Sequence, residues 1–112
     1  MALPDRRIVA TIWDAGVEYE WDETKRRSNL AKHGVDFAQV SDFNWPLAVI
    51  QEDRRRNYGE RRWNAVGTIG ERVHTLVYTE RIGRVRVISL RKSKKQEVDF
   101  YENQKEPDST GT

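Results

Sequence analysis

A short stretch near the start of the chain carries residue types that can bind a phosphate and move a proton. At about 100° per residue, a helix would align Lys25, Asn29 and Lys32 in one polar stripe. His33 would lie at the edge of that stripe, and its imidazole titrates near neutral pH. The alternative is that the lysines are solvated and that His33 only favours the negative end of the helix dipole.

The helix that would carry this stripe has a signal at each end. Asp22 is a good N-cap, because its carboxylate can accept an amide hydrogen bond from the open first turn. Gly34 suits the position just past the last turn, where a left-handed residue closes a helix. The sequence therefore predicts a helix from Asp22 to His33.

Length and composition narrow the class of protein. The chain has 112 residues, which predicts a single domain, and no cysteine, which suits a reducing cytoplasm. No apolar run approaches the roughly 20 residues that span a bilayer. Asp5-Arg6-Arg7 interrupts any apolar leader, so we expect a cytoplasmic protein without a signal peptide.

Charge is unevenly distributed along the chain, although the net charge is only +2. Five carboxylates and no base lie between Asp14 and Glu23, whereas seven bases and no carboxylate lie between Arg81 and Lys95. A second basic cluster lies between Arg54 and Arg62. This pattern predicts one face that binds a polyanion and another face that binds a different partner. The alternative is a surface on which these charges form ion pairs with one another.

The remaining patterns predict an α+β fold in which helices cover one face of an antiparallel sheet and the other face stays open. We expect residues 1–16 to form an N-terminal extension, either disordered or an extra strand, residues 17–104 to form the domain, and residues 105–112 to form a flexible tail. The predicted elements are strands Val17–Trp21, Leu47–Gln51, Arg61–Ile69, Val73–Glu80 and Arg84–Leu90, a short helix Phe37–Phe43 capped by Asp36, and a last helix Lys94–Gln104 that begins in a capping box at Ser93.

An ordered set of short motifs runs through this domain and resembles the BrnT family of ribonuclease toxins from type II toxin–antitoxin modules. The motifs are Trp21-Asp22-x-x-Lys25, Asn29-x-x-Lys32-His33-Gly34-Val35-x-Phe37, Asp53-x-Arg55, Tyr58-Gly59-Glu60-x-Arg62, Val77-Tyr78-Thr79-Glu80-Arg81, Arg86-Val87-Ile88-Ser89-x-Arg91, and Glu97 with Tyr101.

The resemblance implies a fold similar to the RelE-like ribonuclease toxins and RNA cleavage that stops translation. It also implies neutralisation by a cognate ribbon-helix-helix antitoxin, in a complex such as a heterotetramer. Operator DNA would be bound only through that antitoxin. No cofactor and no membrane are implied.

RNA cleavage without a metal needs a base for the 2′-hydroxyl, positive charge on the phosphate, and an acid for the leaving oxygen. A metal site is not expected, because the carboxylates lie mainly away from the basic strands. We predict His33 as acid or base, and we interpret His74, within a strand, as structural or exposed. Arg81 and Arg91 lie at the ends of adjacent strands, where a hairpin would bring them near one another, and they are predicted to clamp the phosphate in one pocket with His33. Lys25 is a further catalytic candidate.

The other candidate residues would bind RNA or support the site. The RNA-binding candidates are Asn29, Lys32, Arg55, Tyr58, Arg62, Arg86 and Lys92, and the supporting candidates are Glu97 and Tyr101. A competing interpretation of Arg81 or Arg91 is an ion pair with Glu97 that holds the last helix to the sheet. A competing function is a non-catalytic nucleic-acid-binding subunit that uses the same basic surface.

Overall fold

The computed structural model describes residues 17–105, and within them five strands form one mixed sheet in the order β1-β5-β4-β3-β2. The predicted α+β class is confirmed. In chain order the elements are β1 (Tyr19–Glu20), α1 (Glu23–His33), 3-10 helices over Phe37–Asp42 and Trp45–Leu47, β2 (Val49–Glu52), β3 (Trp63–Ile69), β4 (Arg72–Arg81), β5 (Arg84–Lys92) and α2 (Lys95–Lys105).

The first helix begins and ends as predicted. The Asp22 carboxylate accepts a hydrogen bond from the Lys25 amide at 3.1 Å, and Gly34 closes the helix with a φ of 73°. The next predicted helix also forms, as a 3-10 helix whose capping box joins Asp36 and Gln39. Phe37 and Val40 of this 3-10 helix belong to the larger of two apolar clusters on the sheet, and α1 lies against β5 and the 3-10 helix.

One wrong prediction concerns strand direction. The sheet was predicted to be antiparallel, but β1 pairs with β5 in parallel, with Tyr19 opposite Val85 and Glu20 opposite Arg86. The other strand pairs are antiparallel. Because β1 and β5 are separated by most of the domain, no local pattern fixes their relative direction.

The last helix lies on a different face from the one predicted. Ala65 packs in the larger cluster with the first 3-10 helix, whereas its neighbour Val66 packs with Val98 and Tyr101 of α2. Successive residues of a strand point to opposite faces, so the first 3-10 helix and α2 cover opposite faces of the sheet. The sheet face beside α2 therefore keeps room for a groove.

The hairpins of β3, β4 and β5 turn where the sequence predicts. Gly70 has a φ of 64°, and the second turn has Ile82 and Gly83 at 51° and 75°. A register shift between Val77 and Tyr78 marks a bulge in the pairing of β4 with β5.

The start of α2 differs by one position from the predicted capping box. The capping side chain is Glu97, whose Oε1 accepts a hydrogen bond from the Lys94 amide at 2.7 Å. Gln96, which was predicted to cap the helix, does not make this bond. The Ser93 hydroxyl hydrogen-bonds Thr75 instead, at 2.8 Å.

Two further expectations concern the ends of the chain and the membrane. The predicted extension at residues 1–16 and most of the predicted tail, residues 106–112, lie outside the described residues. In the part of the chain that the structure describes, neither helix has the length and apolar character that a membrane crossing requires.

Candidate active site

A groove of about 440 Å³ lies on the sheet face beside α2. Its floor is formed by side chains of β2 to β5, one wall by the start of α2, and the other by the basic loop between β2 and β3. This loop is defined here as Asp53 to Arg62. The groove contains five residues that the sequence singled out: Arg55, Tyr58, Arg62, Arg91 and Glu97.

Arg91 and Glu97 form the pair at the α2 wall. The Arg91 Nη1 and Nη2 atoms each donate to one Glu97 oxygen at 2.8 Å, and both side chains are about three-quarters buried. Thr75 Oγ1 also donates to Glu97, at 3.2 Å. The hydrogen bonds from Arg91 are the main reason that the pKa of Glu97 falls to about 2. The predicted ion pair between Arg91 and Glu97 is therefore confirmed.

Asp53 organises the opposite wall. Its carboxylate is buried and accepts from Arg55 Nε and Nη2, each at 2.8 Å, and from the Tyr58 hydroxyl at 3.1 Å. The hydrogen bonds from Arg55 are the main reason that the pKa of Asp53 falls to about 2. Arg55 itself is 73 % exposed, so a buried anchor holds an accessible guanidinium.

The two walls are close enough to interact electrostatically. Glu97 raises the pKa of Arg91, whereas burial and the positive charge of Arg55 act in the opposite direction. Among the described residues no hydrogen bond engages Nη1 of Arg55, which leaves that nitrogen available to an anion in the groove. A phosphate between the walls could therefore contact both guanidiniums.

Arg62 completes the loop wall. Its guanidinium carbon lies 4.1 Å from the centre of the Tyr58 ring, and its Nε donates to Glu60 at 3.1 Å. One face of the Tyr58 ring is therefore already covered by an arginine. The Tyr58 hydroxyl remains at the groove, beside Asp53.

His33 lies at the edge of this site, at the end of α1. It is half-buried, and its pKa is lowered mainly by burial and then by the positive charges of Lys32 and Arg91. Arg91 is therefore one of the charges that act on the imidazole, although His33 does not line the groove. A lowered pKa favours the neutral form, which accepts a proton.

Arg81 does not join the site, and the prediction that a hairpin would bring it close to Arg91 is wrong. Arg81 pairs with Arg84 beside the turn, whereas Arg91 pairs with Thr75 near the other end of the hairpin. At about 3.3 Å per residue, the two ends are roughly 20 Å apart. Asn29 of α1 bonds Leu90, next to Arg91, and His33 lies one turn further along the same helix. The predicted pocket of His33 with Arg81 therefore does not form.

The structure places two other candidates within the fold. Asn29 is buried, where its amide donates to the Val35 and Leu90 carbonyls at 3.0 and 2.7 Å. Tyr101 is 1 % exposed and packs in the smaller apolar cluster. Asn29, which was predicted to bind RNA, is therefore not presented to it, and Tyr101, which was predicted to support the site, is a core residue. His74 is 3 % exposed and bonds the Arg72 carbonyl at 2.9 Å, as its structural interpretation predicted.

The remaining cationic candidates lie outside the groove lining. Lys25 and Lys32 are exposed along α1, and Lys92 is exposed at the end of β5. Arg86 pairs with Glu20 at 3.0 Å, and Arg84 pairs with Glu18 at 2.9 Å. Glu18 and Glu20, from the acidic stretch between Asp14 and Glu23, therefore lie beside the basic strand β5. Opposite charges that are far apart in the sequence thus meet in the fold.

Several side chains of the groove were not among the predicted site residues, and Asp53, Gln51 and Asn64 are the ones that matter for its chemistry. Asp53 was noted only as part of a motif, although the Asp-x-Arg spacing with a nearby tyrosine is a local signal for an anchored guanidinium. Gln51 and Asn64 could not be identified from local sequence, because their proximity depends on the register of β2 with β3. Within residues 17–105, no group of three or more acidic, histidine or cysteine side chains is arranged to hold a metal ion.

Comparison with known proteins agrees with the motif pattern. The model of the family described as "Ribonuclease toxin, BrnT, of type II toxin-antitoxin system" matches residues 21–97, well over half of the chain. That span contains every groove residue named above as a predicted candidate. No curated protein matches the chain.

Proposed function

Because the chain belongs to the BrnT family of ribonuclease toxins, we propose that its groove cleaves RNA without a metal ion. Arg55 and Arg91 would bind the scissile phosphate from opposite walls. The family membership already includes ribonuclease activity within a type II toxin–antitoxin system. The groove residues and the metal-free chemistry are the parts proposed here.

One observation carries this proposal: two arginines on one groove are each held by both oxygens of a carboxylate. Arg91 is fixed by Glu97 and Arg55 by Asp53, with four contacts of 2.8 Å. Held side chains need little reorganisation when negative charge builds on the phosphate, which favours transition-state stabilisation. The carboxylates have pKa values of about 2 and are therefore poor bases at neutral pH.

The reaction would be attack of the 2′-oxygen on phosphorus with loss of the 5′-oxygen, giving a 2′,3′-cyclic phosphate and a 5′-hydroxyl. The neutral imidazole of His33 would take the 2′-hydroxyl proton. The Tyr58 hydroxyl, at the opposite wall, would give a proton to the leaving oxygen and recover one from water. His33 at the edge of the site and Tyr58 at the loop wall would act on different sides of the phosphate, as an in-line displacement requires, since its entering and leaving oxygens lie on opposite sides of phosphorus.

The cellular role follows from the same proposal. RNA cleavage in the cytoplasm would stop translation, and a ribbon-helix-helix antitoxin would neutralise the toxin, in a complex such as a heterotetramer. Operator DNA would be contacted through the antitoxin. The resemblance of the ordered motifs to the family supports these assignments, and it also implies a RelE-like fold.

The direct test is cleavage of single-stranded RNA by the purified chain in EDTA, with the 3′ ends of the products identified by mass spectrometry. Cyclic-phosphate ends formed by the wild type, and lost in Arg91→Ala with its circular dichroism unchanged, would support the proposal. RNA that is bound but left intact under all conditions would instead indicate a non-catalytic binding subunit.

A further inference from the structure

The floor of the groove offers a different surface from its arginine walls. Val77 and Ile88 of the sheet and Phe100 of α2 are half-buried there and form an apolar strip. The side-chain amides of Gln51 and Asn64 line the same groove. A nucleotide combines a charged phosphate with a flat base that has a polar edge, so the groove has a matching surface for each part.

Strand register brings the two amides together. Gln51 lies opposite Asn64, and Asn64 lies opposite Val77. Directly opposed residues of an antiparallel pair have Cβ atoms about 4.5–5.5 Å apart. The row across the sheet therefore runs from two adjacent amides to an apolar residue.

Neither of these amides is used for a hydrogen bond within the described residues, in contrast to the side-chain amides of three other residues. The side chains of Asn29, Gln39 and Asn57 each hydrogen-bond backbone groups. Within the described part of the chain, no hydrogen bond engages the side chain of Gln51 or Asn64. Their donors and acceptors are therefore free for a ligand that enters the groove.

We propose that Gln51 and Asn64 read the edge of one RNA base that lies on the apolar strip, while its phosphate lies against the arginines. Adenine is the best match, because an asparagine or glutamine amide can accept from N6 and donate to N7 at once. The identity of the ligand as RNA rests on the proposed function. The pair would set base preference at one position of the bound strand.

The chemistry of an amide gives a sharp substitution. Asn64→Asp keeps the size of the side chain but replaces its NH2 donor with an acceptor, so it can no longer donate to adenine N7. A carboxylate instead accepts from the N4 amino group of cytosine. We therefore expect the preference to move from adenine towards cytosine.

Binding can be measured separately from cleavage by using oligonucleotides with 2′-O-methyl riboses, which have no 2′-hydroxyl to attack. Fluorescence anisotropy would give the affinities of the full chain for four such homo-oligomers, of A, C, G and U. We expect the wild type to bind the A oligomer most tightly. Asn64→Asp should reduce the ratio of A affinity to C affinity by about tenfold or more.

Asn103→Asp provides a matched control, since it makes the same charge change at an exposed position of α2 outside the groove lining. It should lower all four affinities equally or not at all. If Asn64→Asp does not fold by circular dichroism, Gln51→Glu makes the equivalent change on the neighbouring strand.

The outcomes separate this inference from the proposed function. Equal affinities of the wild type for all four oligomers, or a base preference unchanged in the folded variant, would overturn base reading by these amides. RNA cleavage would still be intact in that case. A shifted preference in a protein that never cleaves RNA would leave base reading standing and overturn the proposed catalysis.

Discussion

The two ends of the β4–β5 hairpin both carry arginines paired with glutamates, but they hold them differently. Beside the turn, Arg84 contacts Glu18 through Nε at 2.9 Å, with side chains 49 % and 69 % exposed. At the far end, Arg91 and Glu97 share two contacts of 2.8 Å, and further hydrogen bonds fix Glu97.

This difference separates an arginine that joins strands from one that can act on a ligand. The pair of Arg84 and Glu18 links β5 to the segment that leads into β1, and exposed pairs of this kind contribute little to stability. Arg91 is partly buried, oriented through both nitrogens, and lies across the groove from a second held arginine. Variants at the two ends should therefore behave very differently.

The largest effect is expected for Arg91→Ala. Loss of the guanidinium removes charge stabilisation from the transition state and leaves Glu97 without its main partner, so RNA cleavage should fall by about 10²–10³-fold. Rates on a defined RNA in EDTA would measure this. Arg91→Lys keeps the charge but not the forked geometry, and should restore only part of the activity. Full activity in Arg91→Ala would remove the distinction between the hairpin ends.

His33→Gln tests whether the end of α1 takes part in the same site. Cleavage should fall by about 10²-fold if His33 is the base. Because its folded pKa is below the ordinary 6.5, the neutral form dominates at pH 7, and wild-type activity should fall only as the pH drops below 6.5. A pH–rate profile should lose this limb in the variant. A limb that persists would assign the base to another group.

Asp53→Asn tests the anchoring of Arg55 and Tyr58. The amide keeps the shape of the side chain but weakens its charge-assisted hydrogen bonds, so cleavage should fall by about 10- to 100-fold. A double-mutant cycle with Arg55→Ala would separate anchoring from a general loss of stability. Once Arg55 is absent, Asp53→Asn should have little further effect, whereas additive effects would contradict the anchoring role.

Acid should loosen both walls of the groove together. Glu97 and Asp53 have pKa values of about 2, below their ordinary values of 4.5 and 3.8. A lowered folded-state pKa stabilises the fold above the ordinary value, and this contribution is lost as the pH falls from about 4.5 towards 2. Urea unfolding across this range should show a shallower decline for Glu97→Gln. An identical decline would mean that this pair contributes no pH dependence.

The smallest effect is expected for Arg84→Ala, which serves as the control at the turn end. The free energy of unfolding should change by no more than about 1 kcal/mol, as for exposed ion pairs. RNA cleavage should stay within about twofold of the wild type, since Arg84 lies roughly 20 Å from Arg91 along β5. A large loss of cleavage would extend the site to the turn end.

Local signals predicted much of the fold. Asp22 and Gly34 fixed α1, and Gly70 and Gly83 marked the hairpin turns, because each depends only on neighbouring residues. Contacts between distant segments determine that β1 is parallel to β5, and they also determine which face of the sheet α2 covers. Those features were therefore wrong or absent in the sequence prediction.

The site was predicted in part for the same reason. Arg55 and Arg91 were predicted from the sequence, but their position on opposite walls of one groove depends on how α2 and the basic loop pack on the sheet. The error over Arg81 was avoidable, since counting outward from the Ile82–Gly83 turn pairs Arg91 with the region of Thr75. Asn29 was misassigned because a helical stripe does not reveal which of its polar residues the sheet will cover.

The buried amide of Asn29 also affects how the protein can associate with other chains. Among the described residues, no strand lies outside the second half of β5, and Asn29 bonds both the carbonyl and the amide of Leu90 there. An exposed strand edge is a template for β-aggregation. By occupying these two groups, one side chain blocks the addition of a foreign strand at this edge, so Asn29→Ala should promote self-association as well as unfolding.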